Sequence, residues 1–418
     1  MHLAPKNVTI QRFKKRKSWS SYFGSYISLI SPTASINRFL GFLPYKLESS
    51  KLVYSKSYSI FSTISIIIYL TCASFGLYEA NVVLENLLTV TTKLHINFIL
   101  CCGLMIFITN YIKSRSMIPV MNHVSNVSRI LSSEIFCGVA TRILIKDTLF
   151  LMPLVSHIPQ VIYTNYIYGY ICWYTSFGVV ILTNLYTNNV YVLNACFKHI
   201  NDSLMKVKVI LVSDEPHLLR RVYHMQKNPI LLTKLRALKK QHLETSEVVQ
   251  RLNNTCSMQI EAMVTLMFID ITFNMYKYLI LFNEIGKMRS FSFALMFTIL
   301  YVVHIIITVS IVETTRSQMA KIGSSLHRIL VHTFDEQVTT ELELFSLQVL
   351  QKGNAFVMKG LVIDATLLAK VIENWIKRDE MFLSTLFTDG VRHYHFFVNI
   401  NTILIRPILL KKNFWVNG

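Results

Sequence analysis

The chain has 418 residues, of which 52% are hydrophobic and 16% are charged, and its formal net charge is +19. A soluble globular protein carries about 25% charged residues, so this composition excludes an ordinary soluble domain and predicts an all-α polytopic membrane protein. The basic residues alternate with apolar segments and form no single basic domain, which favours basic loops at a membrane surface over a nucleic-acid-binding protein.

The first 57 residues form a basic segment that we predict to be cytoplasmic. Residues 1–57 carry ten Lys or Arg against a single acid, Glu48, and no cleavable signal peptide is apparent. Six apolar segments follow within residues 58–312, each close to the roughly 20 residues that a membrane-spanning helix needs. They lie near residues 58–78, 94–112, 143–163, 166–193, 260–282 and 291–312.

The connections between these segments alternate between basic and short. Residues 194–259 hold eleven Lys or Arg, whereas residues 79–93 hold one Lys. Because basic loops stay on the cytoplasmic side, the N-terminus is predicted to be cytoplasmic, opposite to a G-protein-coupled receptor. Apolar residues at helical spacing in 235–252 predict that the fifth span extends into the cytoplasm, and residues 314–330 are predicted to extend the sixth. Two prolines in residues 213–229 predict a flexible break.

Four short motifs, in this order, are similar to those of one receptor family. They are LGFLPY at residues 40–45, VYVLNACFKHIN at 190–201, LNN at 252–254, and FSLQ-x-L with GL-x-x-D-x-x-LL at 345–368. The C-terminal motif is specific, and the other three are weak alone. Over residues 36–372 the chain resembles the insect gustatory receptors, which are seven-helix ligand-gated cation channels.

The resemblance implies a tetramer around a central pore that opens to cations without a G protein. Spans two to six would form a ligand pocket that faces outward. The implied partners are a small-molecule tastant, membrane lipid, and other gustatory receptors in homo- or hetero-oligomers in the plasma membrane. Residues 313–372 would form a cytoplasmic subunit anchor and the start of the seventh helix. The anchor residues expected to contact neighbouring subunits are Phe345, Ser346, Leu347 and Gln348.

The resemblance and the residue chemistry together predict a ligand pocket. Aromatic and amide side chains gather at the outer ends of spans three and four, where they suit either a pocket or an aromatic belt at the membrane interface. A carboxylate inside the fifth span, Asp270, needs a partner, for which His304 is a candidate; a structural hydrogen bond between helices is the alternative. The predicted pocket residues are His157, Gln160, Tyr163, Tyr170, Trp173, Asp270, Asn274 and His304.

The chain departs from the family after Leu368. Glu373 and the charged residues 377–380 follow closely, and a charge at the middle of a spanning helix costs at least about 2.5–3.5 kcal/mol. We therefore predict an interrupted seventh span and an atypical tail at residues 373–418, and no pore residue can be named. A non-conducting receptor fragment or pseudogene product is an alternative to a working channel. A secondary transporter is a third reading, although no internal repeat is visible.

No pattern typical of an enzyme or a metalloprotein is visible. The sequence lacks HExxH, GxSxG, P-loop and Gly-rich dinucleotide motifs. Its seven cysteines show no CxxC pair and no zinc-ligand spacing. We expect no catalytic residue, no metal and no cofactor.

Overall fold

The computed structural model describes residues 24–49, 51–164, 166–212, 220–282, 288–331 and 336–352. The chain divides into a unit of residues 1–356 and a second unit of residues 357–418. The GL-x-x-D-x-x-LL part of the C-terminal motif, the interrupted seventh span and the tail lie outside the described residues.

Helices form nearly all of the described structure. The helices are α1 Tyr26–Phe39, α2 Lys56–Tyr78, α3 Val90–Val127, α4 Ser133–Ser156, α5 Ile158–Thr164, α6 Ile167–Val212, α7 Arg220–Phe282, α8 Met288–Leu330 and α9 Glu336–Lys352. A π-helical turn, Glu79–Val83, extends α2, and a 3-10 turn, Ser128–Ile130, follows α3. The sequence-based all-α class therefore needs one addition, an antiparallel hairpin of β1 Tyr45–Glu48 and β2 Lys51–Tyr54. Strands of four residues are too short for their alternation to stand out in the sequence.

Four helices in the described part of the chain are long and apolar enough to cross a membrane. They are Lys56–Val83, Val90–Ile130, Pro229–Lys277 and Thr298–Leu330. The first two contain the first and second predicted spans, and the last two overlap the fifth and sixth. The predicted helical extensions are confirmed as well, because residues 235–252 continue into the fifth span within α7 and residues 314–330 continue the sixth within α8.

The third predicted span, residues 143–163, is not one helix. The structure ends α4 at Ser156 and begins α5 at Ile158. Pro159 lacks the amide hydrogen that would continue α4, and it occupies the first turn of α5, where that hydrogen is not needed. The helix α4 also begins at Ser133, ten residues before the predicted start. The Ser132 hydroxyl accepts a hydrogen bond from the amide of Ile135 at 3.5 Å and caps this end.

The fourth predicted span, residues 166–193, forms the first half of α6 and is not among the four apolar helices. Its hydropathy is lowered by side chains that face the protein interior, since Asn184, Thr187 and Asn188 are all buried. Of the six predicted spans, four are thus supported by apolar helices in the described part of the chain. The predicted break at residues 213–229 is wrong from Arg220 onward, because α7 continues through Pro229; residues 213–219 lie outside the described residues.

The helix α6 lies at the centre of the bundle and packs against α1, α2, α3, α4, α7 and α8. The most extensive helix–helix interfaces lie between α3 and α7 and between α6 and α8. The helix α9 packs in turn on α7 and α8. The core therefore lies along α6, α7 and α8, and the two functional regions described below both use α7.

The LGFLPY motif forms a tight turn between α1 and the hairpin. Gly41 has a φ of +78°, a conformation that L side chains rarely adopt. A Cβ at this position would lie 2.7 Å from the Ser65 side chain on α2, and the Gly41 carbonyl accepts a hydrogen bond from the Ser62 hydroxyl. The turn places Phe42 against Phe107 of α3, with ring centroids 4.9 Å apart. The motif thus fixes the start of α2 on the bundle.

Candidate functional site

A chain of hydrogen bonds joins α3 to α7 inside the bundle, and we name it the α3–α7 polar cluster: His95, Asp270, Asn274 and Lys277. The Nε2 of His95 lies 2.7 Å from one carboxylate oxygen of Asp270, and the Asn274 amide donates to the other at 3.2 Å. The Lys277 ammonium lies 2.9 Å from Nδ1 of His95. His95 and Asp270 are only 5% and 7% exposed.

The geometry assigns a direction to these hydrogen bonds. An ammonium group can only donate, so Nδ1 of His95 accepts from Lys277 and Nε2–H donates to Asp270. The imidazole ring is also held in place by stacking on Phe273, with centroids 4.8 Å apart. The residues at 270, 274 and 277 lie on one face of α7 because they are spaced four and three residues apart. The cluster is therefore a preformed polar site between two helices.

The prediction that His304 is the partner of Asp270 is wrong. His304 is fully buried on the side of α8 that faces α4, where its ring stacks on Phe150 at 4.2 Å. Neither ring nitrogen of His304 has a hydrogen-bond partner among the described residues. His95 takes the predicted role. The sequence contained a signal for it, since His95 is a titratable residue at the start of the second apolar segment.

The other predicted pocket residues lie at the α4–α6 end of the bundle. Trp173 is half-buried, and its indole N–H donates to the Leu154 carbonyl at 3.0 Å. That carbonyl lies in the last turn of α4, where it lacks an intrahelical partner, so Trp173 satisfies it. His157 is half-buried and caps the end of α4. Tyr170 is exposed, and Tyr163 is 89% exposed.

The structure brings only some of the predicted pocket residues together, and their role in a ligand pocket stays a prediction. It brings Asp270 and Asn274 together, and it gives Trp173 a structural hydrogen bond. No hydrogen bond joins Asp270 to the aromatic residues at the α4–α6 end among the described residues. Gln160 lies in α5, but its side chain lies outside the described part of the structure.

A second buried polar network was missed by sequence reasoning. The Lys146 ammonium of α4 lies 2.8 Å from the Asp147 carboxylate and donates to Asn184 and Thr187 of α6, each at 2.9 Å. The second oxygen of Asp147 accepts hydrogen bonds from Asn188 at 2.9 Å and from a hydroxyl of α1 at 2.8 Å. The network therefore joins α1, α4 and α6.

The signal for this network lies in α6. The run TNLYTNN at residues 183–189 is polar inside an otherwise apolar segment, and it meets the two adjacent charges of α4. Asn189 of the same run accepts a hydrogen bond from the Tyr26 hydroxyl at 2.6 Å. Because most of these groups have partners, we interpret the network as a structural element that fixes α1 to the bundle.

The FSLQ motif lies on α9 and contacts α7 of the same chain. Phe345 is fully buried, and its ring meets His242 edge-on with centroids 5.5 Å apart. The Gln348 amide donates to the Lys239 carbonyl at 2.9 Å and lies 3.1 Å from Nδ1 of His242. Ser346 is half-buried. The motif therefore attaches α9 to α7.

A charge pair strengthens this attachment. The Glu341 carboxylate of α9 bonds to Lys239 and lies 3.4 Å from Arg236 of α7. Desolvation alone would raise the pKa of Glu341, but the hydrogen bonds and charges of Lys239 and Arg236 together lower that pKa below its usual value. On the opposite face of α9, Leu347 and Leu350 are exposed. The expected contact of the motif with neighbouring subunits stays a prediction.

The sequence model of a family described as 7tm Chemosensory receptor matches residues 30–372. No curated protein matches the chain significantly. The matched segment includes both buried polar networks and the FSLQ motif, and it ends directly before Glu373. With this family match and four long apolar helices among the residues that the structure describes, the chain belongs to the seven-transmembrane chemosensory receptor family, is a multi-pass membrane protein and is not an enzyme.

Proposed function

We propose that the chain is a gustatory receptor, a subunit of a ligand-gated cation channel in the plasma membrane that detects a small-molecule tastant. Its N-terminus would be cytoplasmic, and its working form would be a homo- or hetero-oligomer with other gustatory receptors. The α3–α7 polar cluster is the observation that carries this proposal, because it places buried ionisable groups between two membrane-spanning helices of a chemosensory receptor.

Buried charges in a membrane protein usually mark a ligand or ion site, since they are costly to keep there. In the proposed orientation α7 runs outward and α3 begins at the outer side, so the cluster lies towards the outer leaflet. A ligand with hydroxyl or amine groups could replace the hydrogen bonds among His95, Asp270 and Lys277. The ligand class that fits is therefore a small polar molecule that both donates and accepts hydrogen bonds.

The same helix connects this cluster to the FSLQ motif. α7 is continuous from Arg220 to Phe282, and it carries Lys239 and His242, which hold α9, as well as Asp270. A ligand that repacks α7 against α3 would shift the contacts of α9. This supports gating by a rigid element that both sites touch, which is a physical route for coupling between them.

The test is ligand-evoked current in cells that express the full chain, across a panel of sugars, bitter compounds and amines. Asp270→Asn keeps the shape of the side chain and removes the charge, so it should raise the half-maximal ligand concentration about tenfold or more. The matched control is Asp202→Asn, the same change at an exposed position of α6. Surface labelling of each variant separates lost binding from lost expression.

Unchanged ligand sensitivity in Asp270→Asn, with normal surface expression, would remove the cluster from the ligand site. Equal losses in Asp270→Asn and Asp202→Asn would have the same meaning, because the effect would then not depend on position. His95→Ala provides a second variant, and it should act in the same direction because it removes the donor to Asp270.

A second candidate is a non-conducting subunit. It is favoured by the end of the family match at residue 372, directly before Glu373 and the charges of residues 377–380. Such a subunit would give no current alone but would change the ligand response of a full-length gustatory receptor expressed with it. Current from the chain alone would exclude this candidate in favour of the first.

A further inference from the structure

A cavity of about 480 Å³ lies between β2 and α3, away from the α3–α7 polar cluster. Its size falls in the range of small-molecule sites, which is about 300–1,000 Å³. Basic and amide side chains dominate its polar lining. The polar residues on which the argument depends are Lys51, Arg115, Asn122, His123, Asn126 and Arg129.

The walls of this cavity are fixed by specific contacts. The Asn122 side chain of α3 accepts from the Leu52 amide at 2.9 Å and donates to the Leu52 carbonyl at 2.7 Å, so it holds β2 to α3. The Arg115 guanidinium stacks over the Tyr54 ring, 4.8 Å from its centroid. A guanidinium held by its face keeps its N–H edge available for an anion.

The charged side chains that line the cavity are all basic. None of its lining residues is acidic, and among the described residues no carboxylate pairs with Lys51, Arg115 or Arg129. Glu48 lies opposite Lys51 in the hairpin register, but its carboxylate pairs with Lys46 at 3.2 Å. Exposed cations with no counter-charge around a concave surface favour an anionic ligand.

The cavity begins where the lipid-facing surface ends. Ile108 and Ile112 of α3 are exposed, as are Ile60 and Ile64 of α2, as expected of side chains that contact acyl chains. A hydrogen bond between Thr63 of α2 and Tyr111 of α3 joins the two helices at this level. Arg115 follows Ile112 within one helical turn, so it lies at the depth of lipid headgroups.

We propose that this cavity binds a phosphate-bearing anion, the headgroup of a phosphorylated inositol lipid from the adjoining leaflet. The guanidinium groups of Arg115 and Arg129 bind phosphate oxygens in a bidentate manner, and Lys51 supplies a third charge. The cavity extends along α3 from Arg115 to Arg129, which suits a headgroup that carries phosphates beyond the one at the glycerol. A soluble phosphorylated molecule shares this chemistry.

The experiment uses the full chain purified in detergent and a fluorescent dioctanoyl phosphatidylinositol 4,5-bisphosphate, whose binding is followed by anisotropy. The double variant Arg115→Gln/Arg129→Gln should bind the probe at least about tenfold more weakly, because two charge-assisted contacts are lost. The matched control is Lys321→Gln/Arg328→Gln, which removes the same charge from exposed positions of α8 outside the cavity. Its affinity should stay within about twofold of the unaltered chain.

Competition identifies the source of the anion. Unlabelled lipid that displaces the probe at least about tenfold better than soluble inositol 1,4,5-trisphosphate supports a membrane lipid. Equal displacement supports the site but assigns it to a soluble phosphorylated molecule. The proposal is overturned if the two double variants weaken binding equally. It is also overturned if the chain binds the probe no better than a dioctanoyl phosphatidylcholine analogue. Elution of Arg115→Gln/Arg129→Gln at the same gel-filtration volume as the unaltered chain excludes misfolding as the cause.

Discussion

Replacement of Lys146 by methionine should destabilise the bundle strongly. The ammonium lies 2.8 Å from the Asp147 carboxylate and 2.9 Å from oxygens of both Asn184 and Thr187. Methionine has a similar length but no donor, so all three contacts are lost and the carboxylate keeps only its other hydrogen bonds. Because Lys146 is 5% exposed, water cannot replace the lost partner. Breaking a buried ion pair in this way costs about 3–5 kcal/mol.

The assay measures the thermal midpoint of the purified chain in detergent. This midpoint is the temperature at which half of the monodisperse gel-filtration peak is lost. With an unfolding entropy of about 2.1 cal/mol/K per residue, a chain of 418 residues loses about 1 °C per kcal/mol, so Lys146→Met should lower the midpoint by about 3–6 °C. Lys198→Met is the matched control at an exposed position of α6. The double variant Lys146→Met/Asp147→Leu should recover at least half of the loss, because it removes the unpaired charge. An equal midpoint for the Lys146 and Lys198 variants would refute the reasoning.

Gly41→Ala should lower the same midpoint by several degrees, since its Cβ would meet the Ser65 side chain at 2.7 Å and the φ of +78° is strained; an unchanged midpoint would show that the turn relaxes. Because the pKa of Glu341 is lowered in the folded state, its contribution to α9 docking is present above the usual glutamate value of about 4.3 and is lost as the pH falls through the lowered pKa. Hydrogen exchange in α9 should therefore accelerate in acid, and Glu341→Gln should remove this dependence; the same dependence in that variant would assign it to another group. An epitope tag at the N-terminus should be detected only in permeabilised cells, whereas detection in intact cells, or an N-linked glycan on the exposed Asn126, would reverse the proposed orientation.

The long helices could be predicted because their signals are local. The apolar periodicity of residues 235–252 and 314–330 was sufficient to predict that α7 and α8 continue beyond the spans. The partner of Asp270 could not be predicted in this way, because His95 is 175 positions away in sequence and nothing local to either residue indicates which helices are neighbours. His304 has the chemistry of a carboxylate partner, but its ring stacks on Phe150 of α4.

The network around Lys146 shows a second limit of hydropathy. A charged pair inside an apolar segment suggests a later start of the span, whereas here the charges point inward and meet a polar run of α6. Only the packing of α4 on α6 distinguishes these cases. The break at His157 was more accessible, because Pro159 lies within the third apolar segment and cannot donate the amide hydrogen that would continue α4. Proline alone does not decide the break, since α4 continues through Pro153 and α7 through Pro229.

The helix α7 has a long stretch without a residue that favours bending. Between Arg236 and Lys277 the sequence contains neither glycine nor proline, so this stretch has no residue that would favour a bend. Its 42 residues span about 63 Å, roughly twice the hydrocarbon thickness of about 30 Å. About half of this rod must therefore project from the bilayer. A rotation of α7 at Asp270 would be passed along this helix to His242, which contacts Phe345, and an inserted Gly-Gly pair midway should weaken that coupling.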